Sequence, residues 1–463
     1  MEPSVTTLFA RMKAGNDVRR ASFGLIERRA ALDRLAAMVR QNEGAIVAAL
    51  QADLGRPEAE VVLMDYLGIL QDIRHARRHL RRWMRPRRVW PTLATFGATA
   101  RTEAQPRGTC LIIAPWNLPF HLALGPLASC LAAGNAAIVK PSELTPASSA
   151  LIARMIAETF PPDLVTVVEG DKTVAEELLT LPFDHIFFTG SPAVGRIVMA
   201  AAAKTLASVT LELGGKTPVI VGPDADLKQV ADWITFGKFL NAGQNCISPD
   251  HVYVHAAVKE AFLAQLSKRI VHAYGSGPAS PHLTRIVTPS HAARLSALIA
   301  DAVQKGALLP LAAGQDGQAI GPHLVEGTTP DMRVSREEIF GPILPILPYT
   351  DLDTVIAQIN AGEKPLALYI FDRDRDRIAR ITQGTTSGAV GVNLTLVHYT
   401  QLNLPFGGVN GSGIGAAHGQ AGFRAFSHER AVMRNRFLLL PLLFPPYTPR
   451  IRRLIGLIKR VLG

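Results

Sequence analysis

Cysteine is scarce in this chain: three in 463 residues, at positions 110, 130 and 246. No CxxC and no clustered Cys/His spacing occurs, so neither a disulfide framework nor a zinc site fits, and no metal is expected. Few, scattered cysteines suit a reducing compartment. No apolar run approaches the roughly 18 residues of a spanning helix. The N-terminus MEPSVTTLFARMKAGNDVRR has no continuous apolar core, so no signal peptide is read there and a cytoplasmic location is expected. Internal repeats, low-complexity segments and a GxGxxG fingerprint are also missing. What remains is 48% hydrophobic and 19% charged, an ordinary globular balance. At roughly 150 residues per domain the length suggests two or three domains.

The net charge is +11. Eight arginines fall in RHARRHLRRWMRPRR, residues 74–88. That segment has one aromatic, Trp83, and no recognised nucleic-acid motif, so it reads as a solvated helix face and no nucleic-acid partner is expected. A second basic segment closes the chain and is treated below.

Residues 18–80 read as helices, with apolar positions three and four apart and a stop at Gly55. TFGATARTEAQPRG reads as an extended arm or hairpin. Short apolar runs then alternate with helices: TCLIIAPWN, NAAIVKPSE, LVTVVEG, HIFFTGS and SVTLELGG are the runs. Such alternation predicts a parallel sheet covered on both faces, with ligands at the strand C-terminal ends. A second alternation starts near 215 with TPVIVG, HVYVH, the PILPILPY run, PLALYIFD and SGAVGVN. The fold class expected is α/β, two Rossmann-like parallel-sheet domains.

The polar tips of these runs carry the chemistry. FFTGSPAVGR places Gly190 and Ser191 at a strand-to-helix turn, where free N–H groups attract an anion; a plain helix cap explains the same residues. VKPSE places Lys140 and Glu143 past a strand, suited to ribose hydroxyls or to a surface turn. APWNLPF fixes Asn117 between turns, where its carboxamide donates to an oxyanion or closes a structural turn. LELGGK holds Glu212 on an apolar strand end, a costly position unless it is paired or functional. Cys110 and Cys130 have apolar neighbours, but Cys246 sits in NAGQNCIS among small and polar residues. A thiol, a base, an amide donor and a phosphate-binding turn on one scaffold suggest covalent catalysis with a dinucleotide.

Seven segments, PWNLPF, KPSE, FTGSPAVG, LELGGK, NAGQNC, EEIFGPILP and NLPFGG, occur in the order of the aldehyde dehydrogenases. The chain resembles that family over about residues 20–435. HYTQLNLPFGG and GFRAFSHERAVM look most like its class 3 branch, which includes fatty-aldehyde and coniferyl-aldehyde dehydrogenases. The resemblance implies NAD(P)-dependent oxidation of an aldehyde to its acid. It makes Cys246 the nucleophile, Glu212 the base for hydrolysis and Asn117 an oxyanion donor. NAD or NADP would be held by Pro115, Trp116, Lys140, Ser142, Glu143, Gly190, Ser191, Val194, Leu213, Gly214, Glu338 and Phe340. A hydrophobic aliphatic or aromatic aldehyde is the expected substrate.

One departure is visible: the family reads GGVGxSG where this chain reads GGVNGSGIG, with Asn410 and Gly411 exchanged. It bears on loop shape and substrate preference. A cysteine hydrolase is the rival reading, but no histidine lies in these motifs; a non-catalytic scaffold is disfavoured because Cys246 and Glu212 are both present. The domains expected are 1–213 for cofactor, with a bridging arm at about 96–107; 214–424 for catalysis; 425–449 as a bridging segment; and 450–463 as a tail helix. The arm is expected to join a homodimer. Residues 430–463 hold eight Lys or Arg and no acid. In RIRRLIGLIKRVLG the apolar and basic residues fall on opposite helix faces, too short to span a bilayer. That tail is expected either to dock on the enzyme's own surface, or near the substrate mouth as a gate, or to rest on an anionic membrane.

Overall fold

The computed structural model describes residues 4–462. An N-terminal helical layer comes first. Leu25–Gln41 buries Leu32, Leu35 and Val39 at helical spacing, and Glu43–Leu54 ends where Gly55 takes a left-handed conformation (φ 58°). Helices begin earlier than the sequence pattern suggested, at Val5. Leu67–Met84 buries Ile69, Ile73, Ala76, Leu80 and Trp83, while all eight arginines of 74–88 are exposed. The arginine run is therefore the solvated side of an amphipathic helix.

The first sheet has six strands in the order Gly413–Ile414, Ser208–Glu212, His185–Thr189, Thr109–Ile113, Ala136–Lys140, Val165–Val167. The last five are parallel. Numbered along the chain, they lie 3-2-1-4-5, the dinucleotide-fold order, with its switch point between Thr109–Ile113 and His185–Thr189. Neighbouring residues on a strand serve opposite faces: Cys110 and Ile112 join the core under the helical layer, while Leu111 joins the core with Phe9, Met12 and Phe183. The second sheet has seven strands, ordered Leu308–Ala312, His323–Glu326, Ile343–Tyr349, His251–His255, Pro218–Val221, Ala367–Phe371, Ala389–Val392. Only its first pair is antiparallel.

A third, small sheet pairs Ala98–Pro106 with Ser427–Asn435 and adds Arg87–Val89 on the other edge. It contains the arm expected at 96–107 and joins it to the segment after 425. One boundary needs correcting. The segment 214–424 does not stay on its own sheet, because Gly413 pairs with Glu212 on the first sheet and helix Gly419–Ala425 packs against Leu67–Met84 and His121–Ala133. The chain returns because Glu212 ends an otherwise open sheet edge, which Gly413–Ile414 covers.

The tail forms the helix Pro449–Leu462. It packs mainly on the short turn Leu440–Leu443, and Leu454, Ile455 and Leu457 remain exposed.

The layers are tied together by Arg56, fully buried (0% exposed). Its guanidinium pairs with Asp65 at 2.7 Å, donates to Asn241 Oδ1 at 2.8 and 3.1 Å, and donates to the Asn117 carbonyl. Removing one partner of a buried pair strands the other charge, typically at about 3–5 kcal/mol. Arg56→Met should therefore lower unfolding stability by about that amount in urea titration; a loss below about 1 kcal/mol would contradict this role.

Candidate active site

The predicted site residues sit at the C-terminal ends of four adjacent strands. Thr109–Ile113 runs into Pro115, Trp116 and Asn117; Ala136–Lys140 into Ser142 and Glu143; His185–Thr189 into Gly190 and Ser191; Ser208–Glu212 into Leu213 and Gly214. Strand register aligns Ile113 with Lys140 and Thr189 with Glu212. The second sheet contributes the loop Asn241–Ser248 and the segment Glu338–Phe340.

Cys246 and Glu212 line one cavity of about 340 Å³, walled largely by apolar side chains such as Leu118, Leu122, Phe236 and Phe406. Cys246 is only partly buried, unlike Cys110 and Cys130. Burial pushes its thiol up to about 12, with Glu338 and Glu212 adding to the rise; the backbone N–H groups of Cys246 and Ile247 oppose it. Both Glu212 carboxyl oxygens are buried without a hydrogen-bond partner among the described residues. Burial alone raises its pKa well above the carboxylate range.

The loop carrying Cys246 is held in an unusual shape. Asn241 and Ala242 have φ of 54° and 53°, and a Cβ on Gly243 would lie 2.5 Å from the Gly341 carbonyl oxygen. Asn241 Nδ2 donates to the carbonyls of Asn117 (3.1 Å) and Gln244 (2.9 Å), and its own N–H donates to Glu60 Oε2 (3.0 Å). Asn117 Nδ2 donates to the same Gln244 carbonyl at 3.1 Å. One amide hydrogen of Asn117 is thus used to fix the side chain, leaving the other.

The residues expected for a cofactor form a second group. Lys140, nearly fully buried, pairs with the half-exposed Glu143 at 2.7 Å. Ser142 Oγ is engaged by the Leu144 N–H, which makes it part of the turn. Gly190 N–H donates to the Glu212 carbonyl, and Ser191 caps the 14-residue helix Pro192–Thr205 through Val194 N–H. Val194 is exposed, whereas Leu213 is buried against Gly195. A Cβ on Gly214 would lie 2.4 Å from Glu338 Oε1, so only glycine lets that carboxylate approach. Burial raises Glu338 to about 7. Trp116 and Phe340 meet edge to face at 5.5 Å. Pro115 is half-buried beside Trp116. A helix N-terminus, a lysine–carboxylate pair and a glycine cleft around a switch point are a fitting donor set for a dinucleotide.

The exchanged loop keeps a tight turn. Asn410 takes the left-handed conformation (φ 54°), which asparagine tolerates, and accepts from Lys364 Nζ at 2.6 Å. Ser412 carbonyl then accepts from Leu213 N–H at 3.1 Å, setting Gly413 beside Glu212.

Sequence reasoning missed Arg56, Asp65, Tyr399 and His121. No local signal marks Arg56, which follows a helix stop like any surface arginine. Asn241 lay inside a quoted motif without a role; its carboxamide proves to be the joint between the Asn117 and Cys246 loops.

The aldehyde dehydrogenase family model matches residues 7–432. The chain is 41% identical to the 4,4'-diaponeurosporen-aldehyde dehydrogenase of Staphylococcus aureus (91% of this chain, 92% of that protein). It is 42% identical to a coniferyl aldehyde dehydrogenase of Pseudomonas sp. (87% and 85%) and 40% identical to aldehyde dehydrogenase family 3 member A2 of Macaca fascicularis (86% and 82%). A solved structure, the substrate-bound state of Staphylococcus aureus AldH, superposes with a TM-score of 0.93 at 38% identity, covering 99% of this chain and 100% of that one. This chain belongs to the aldehyde dehydrogenase family, on its class 3-like branch. It is an oxidoreductase that oxidises aldehydes with NAD or NADP.

The raised thiol has a measurable consequence. Thiolate is the reactive form, so alkylation of Cys246 by iodoacetamide in cofactor-free enzyme should rise about tenfold per pH unit between pH 7 and 9. A rate that levels off by pH 8 would contradict the raised pKa.

Proposed function

We propose that Cys246 is the nucleophile of this dehydrogenase, Asn117 its oxyanion donor and Glu212 its hydrolytic base. The observation that carries this reading is that a half-buried thiol and an unpartnered buried carboxyl group line one apolar cavity, while the Asn117 carboxamide is fixed to the Gln244 carbonyl of the loop that carries the thiol. The Cys246 thiol passes its proton to solvent, and Sγ bonds to the aldehyde carbon as the carbonyl π electrons move onto oxygen. The oxygen, now negative, is held by Asn117 Nδ2–H and the Cys246 backbone N–H. When bound, NAD or NADP brings a positively charged nicotinamide ring and accepts the hydride released from that carbon. The acyl group is left as a thioester on Cys246. Glu212 in its carboxylate form, made more basic by burial, then takes a proton from water; the water oxygen bonds to the acyl carbon and the C–S bond breaks, releasing the acid and the thiolate.

Lys140 and Glu143 would hold the adenosine ribose, with Ser142 shaping their turn. Gly190, Ser191 and Val194, at the start of a 14-residue helix, would face the pyrophosphate. Glu338 would take the nicotinamide ribose hydroxyls, and Phe340, Trp116, Pro115, Leu213 and Gly214 would pack around the ring. In this reading 1–213 is the cofactor domain and 214–424 the catalytic one, apart from the 413–425 return. The apolar cavity suits a hydrophobic aliphatic or aromatic aldehyde, as do the names of the Staphylococcus and Pseudomonas relatives.

Glu212→Gln should separate the half-reactions. A burst of reduced cofactor at 340 nm should be followed by turnover reduced about 100-fold or more, with an acyl adduct on Cys246 by mass spectrometry. Cys246→Ala should give neither burst nor turnover while still binding cofactor. Absence of any adduct in Glu212→Gln would place that residue earlier, at the thiol.

The exposed edge of Ser427–Asn435 supports a homodimer built by strand addition. The tail supports contact with an anionic membrane: Arg450, Arg452, Arg453, Lys459 and Arg460 oppose the exposed Leu454, Ile455 and Leu457, and Phe437, Leu439, Leu442 and Phe444 are exposed just before them. Each basic residue near such a surface adds about 1 kcal/mol. Among the described residues no helix is long and apolar enough to cross a membrane, so the contact would be peripheral. Full-length enzyme should co-sediment with anionic vesicles at low salt, and a chain ending at Pro449 should not. If both stay in the supernatant, the membrane reading fails; a monomer in sedimentation at micromolar concentration would count against the dimer.

A further inference from the structure

Away from the Cys246 and Glu212 end, the polar side chains of the cavity gather along one wall. There helices Leu67–Met84 and His121–Ala133 cross, and two glycines make the space. A Cβ on Gly68 would lie 2.4 Å from His121 Cε1, and one on Gly125 would lie 2.9 Å from Asp72 Oδ2. His121 fills the gap. Its Nδ1 faces the Met64 carbonyl at 2.8 Å, displayed by the π-turn Val62–Tyr66, and its Nε2 faces Asp72 Oδ2 at 2.9 Å. With both ring nitrogens facing acceptors, both must carry hydrogen, so the ring is an imidazolium and Asp72 a carboxylate. Burial lowers the His121 pKa, but Asp72 and Asp65 more than offset it and the net shift is upward.

Asp72 Oδ1, the Tyr399 hydroxyl and His418 Nε2 take no hydrogen bond from the protein among the described residues, and neither do the Gln71 carboxamide and the Ser129 hydroxyl on the same two helices; the first three are the ones gathered around the His121 ring. All three side chains line the cavity that holds Cys246 and Glu212. They are close together: the Tyr399 ring lies 5.4 Å from that of His121 and 4.3 Å from that of His418. His418 Nδ1 donates to the Tyr399 carbonyl at 3.1 Å, which leaves Nε2 as an acceptor. The wall therefore offers a carboxylate acceptor, an imidazole acceptor and a phenol that both donates and accepts, with no net charge once Asp72 and His121 are paired. A carboxylate would be repelled by Asp72, and an ammonium group would meet the His121 imidazolium. The group that matches is neutral, donates one hydrogen bond and accepts another.

We propose that Asp72, Tyr399 and His418 form a hydroxyl-binding subsite, and that the preferred aldehydes carry a hydroxyl group on an otherwise apolar body. His121 is a positioning residue: it fixes Asp72 and neutralises it. The hydroxyl donates to Asp72 or His418 and accepts from Tyr399. An aldehyde lacking it leaves these groups desolvated and unpaired in an apolar cavity, and sites built to bond a hydroxyl discriminate on that ground. The proposal rests on the dehydrogenase reading above and deepens it.

The test uses full-length enzyme, NAD and NADP, and two substrate pairs: cinnamaldehyde with 4-hydroxycinnamaldehyde, and decanal with 10-hydroxydecanal. In at least one pair the hydroxylated member should have a kcat/KM about tenfold higher or more. Asp72→Asn and, separately, Tyr399→Phe should shrink that ratio towards one, whatever each does to the absolute rates; using the ratio within each variant removes any general loss from misfolding. His121→Gln should shrink it too, since Asp72 is then neither fixed nor neutralised. Turnover of all four aldehydes with ratios near one in wild type, or ratios that survive both Asp72→Asn and Tyr399→Phe, would overturn the subsite while leaving the dehydrogenase reading intact. No reduced cofactor with any aldehyde would overturn that reading, and the subsite with it.

Discussion

The buried guanidinium of Arg56 is where the site is assembled. Asp65 comes from the helical layer, Asn117 from the first sheet and Asn241 from the second-sheet loop that carries Cys246, and all three meet on that one planar fork. A lysine would not replace it, because a point charge on a flexible stem cannot bond two acceptors in fixed directions. Asp65 also accepts from the His121 N–H at 3.0 Å, so the same node sets the helix that forms the cavity wall. The distance between the carboxamide of Asn117 and the thiol of Cys246 is therefore decided by a residue that touches neither.

Around this node the site works by withholding water rather than by supplying charge partners. Glu212 has no counter-ion, Cys246 has two acidic neighbours, and Glu338 is pressed against a glycine. Each arrangement favours the protonated form. A thiol held protonated at rest is a poor nucleophile and is protected from stray electrophiles. A carboxyl group held neutral does not trap a cation, and once it has given up its proton the carboxylate is a stronger base towards water than an exposed one. A polar network holds the chain segment that carries Glu338. Lys216 donates to the carbonyls of Val334 (2.9 Å) and Glu337 (2.8 Å), and Asp250 accepts from Ile339 N–H at 2.9 Å.

Much of this was legible in the sequence because the ends of buried parallel strands announce themselves. Apolar runs such as CLII and IFFT, closed by PWN or TGS, name both the strand and its tip, and the tips are where ligands bind. Cys246 was legible by contrast with Cys110 and Cys130, whose neighbours are apolar. The helical layer and the arm were legible from periodicity and from the proline cluster. What was not legible is what depends on tertiary crossing. Nothing in the residues around Gly55 marks Arg56 as buried, and nothing in FHLALGP says that His121 will fill a gap left by Gly68. The return of residues 413–425 to the first sheet was hidden for a similar reason: Gly413–Ile414 is a two-residue strand, too short to carry a period.

The departure at Asn410 and Gly411 belongs to the same argument. The loop must deliver the Ser412 carbonyl to Leu213 and Gly413 to Glu212, and both contacts are made by backbone. Backbone contacts specify conformation, not side chains. One left-handed residue is needed in the turn, and asparagine supplies it at 410. Lys364 bonds the Asn410 side chain within the turn, and the backbone contacts beneath Glu212 are made by Ser412 and Gly413. Variation in this enzyme's preference is for that reason better sought across the cavity, where Asp72, Tyr399 and His418 present side-chain atoms to the substrate, than in a loop whose contribution is made by its main chain.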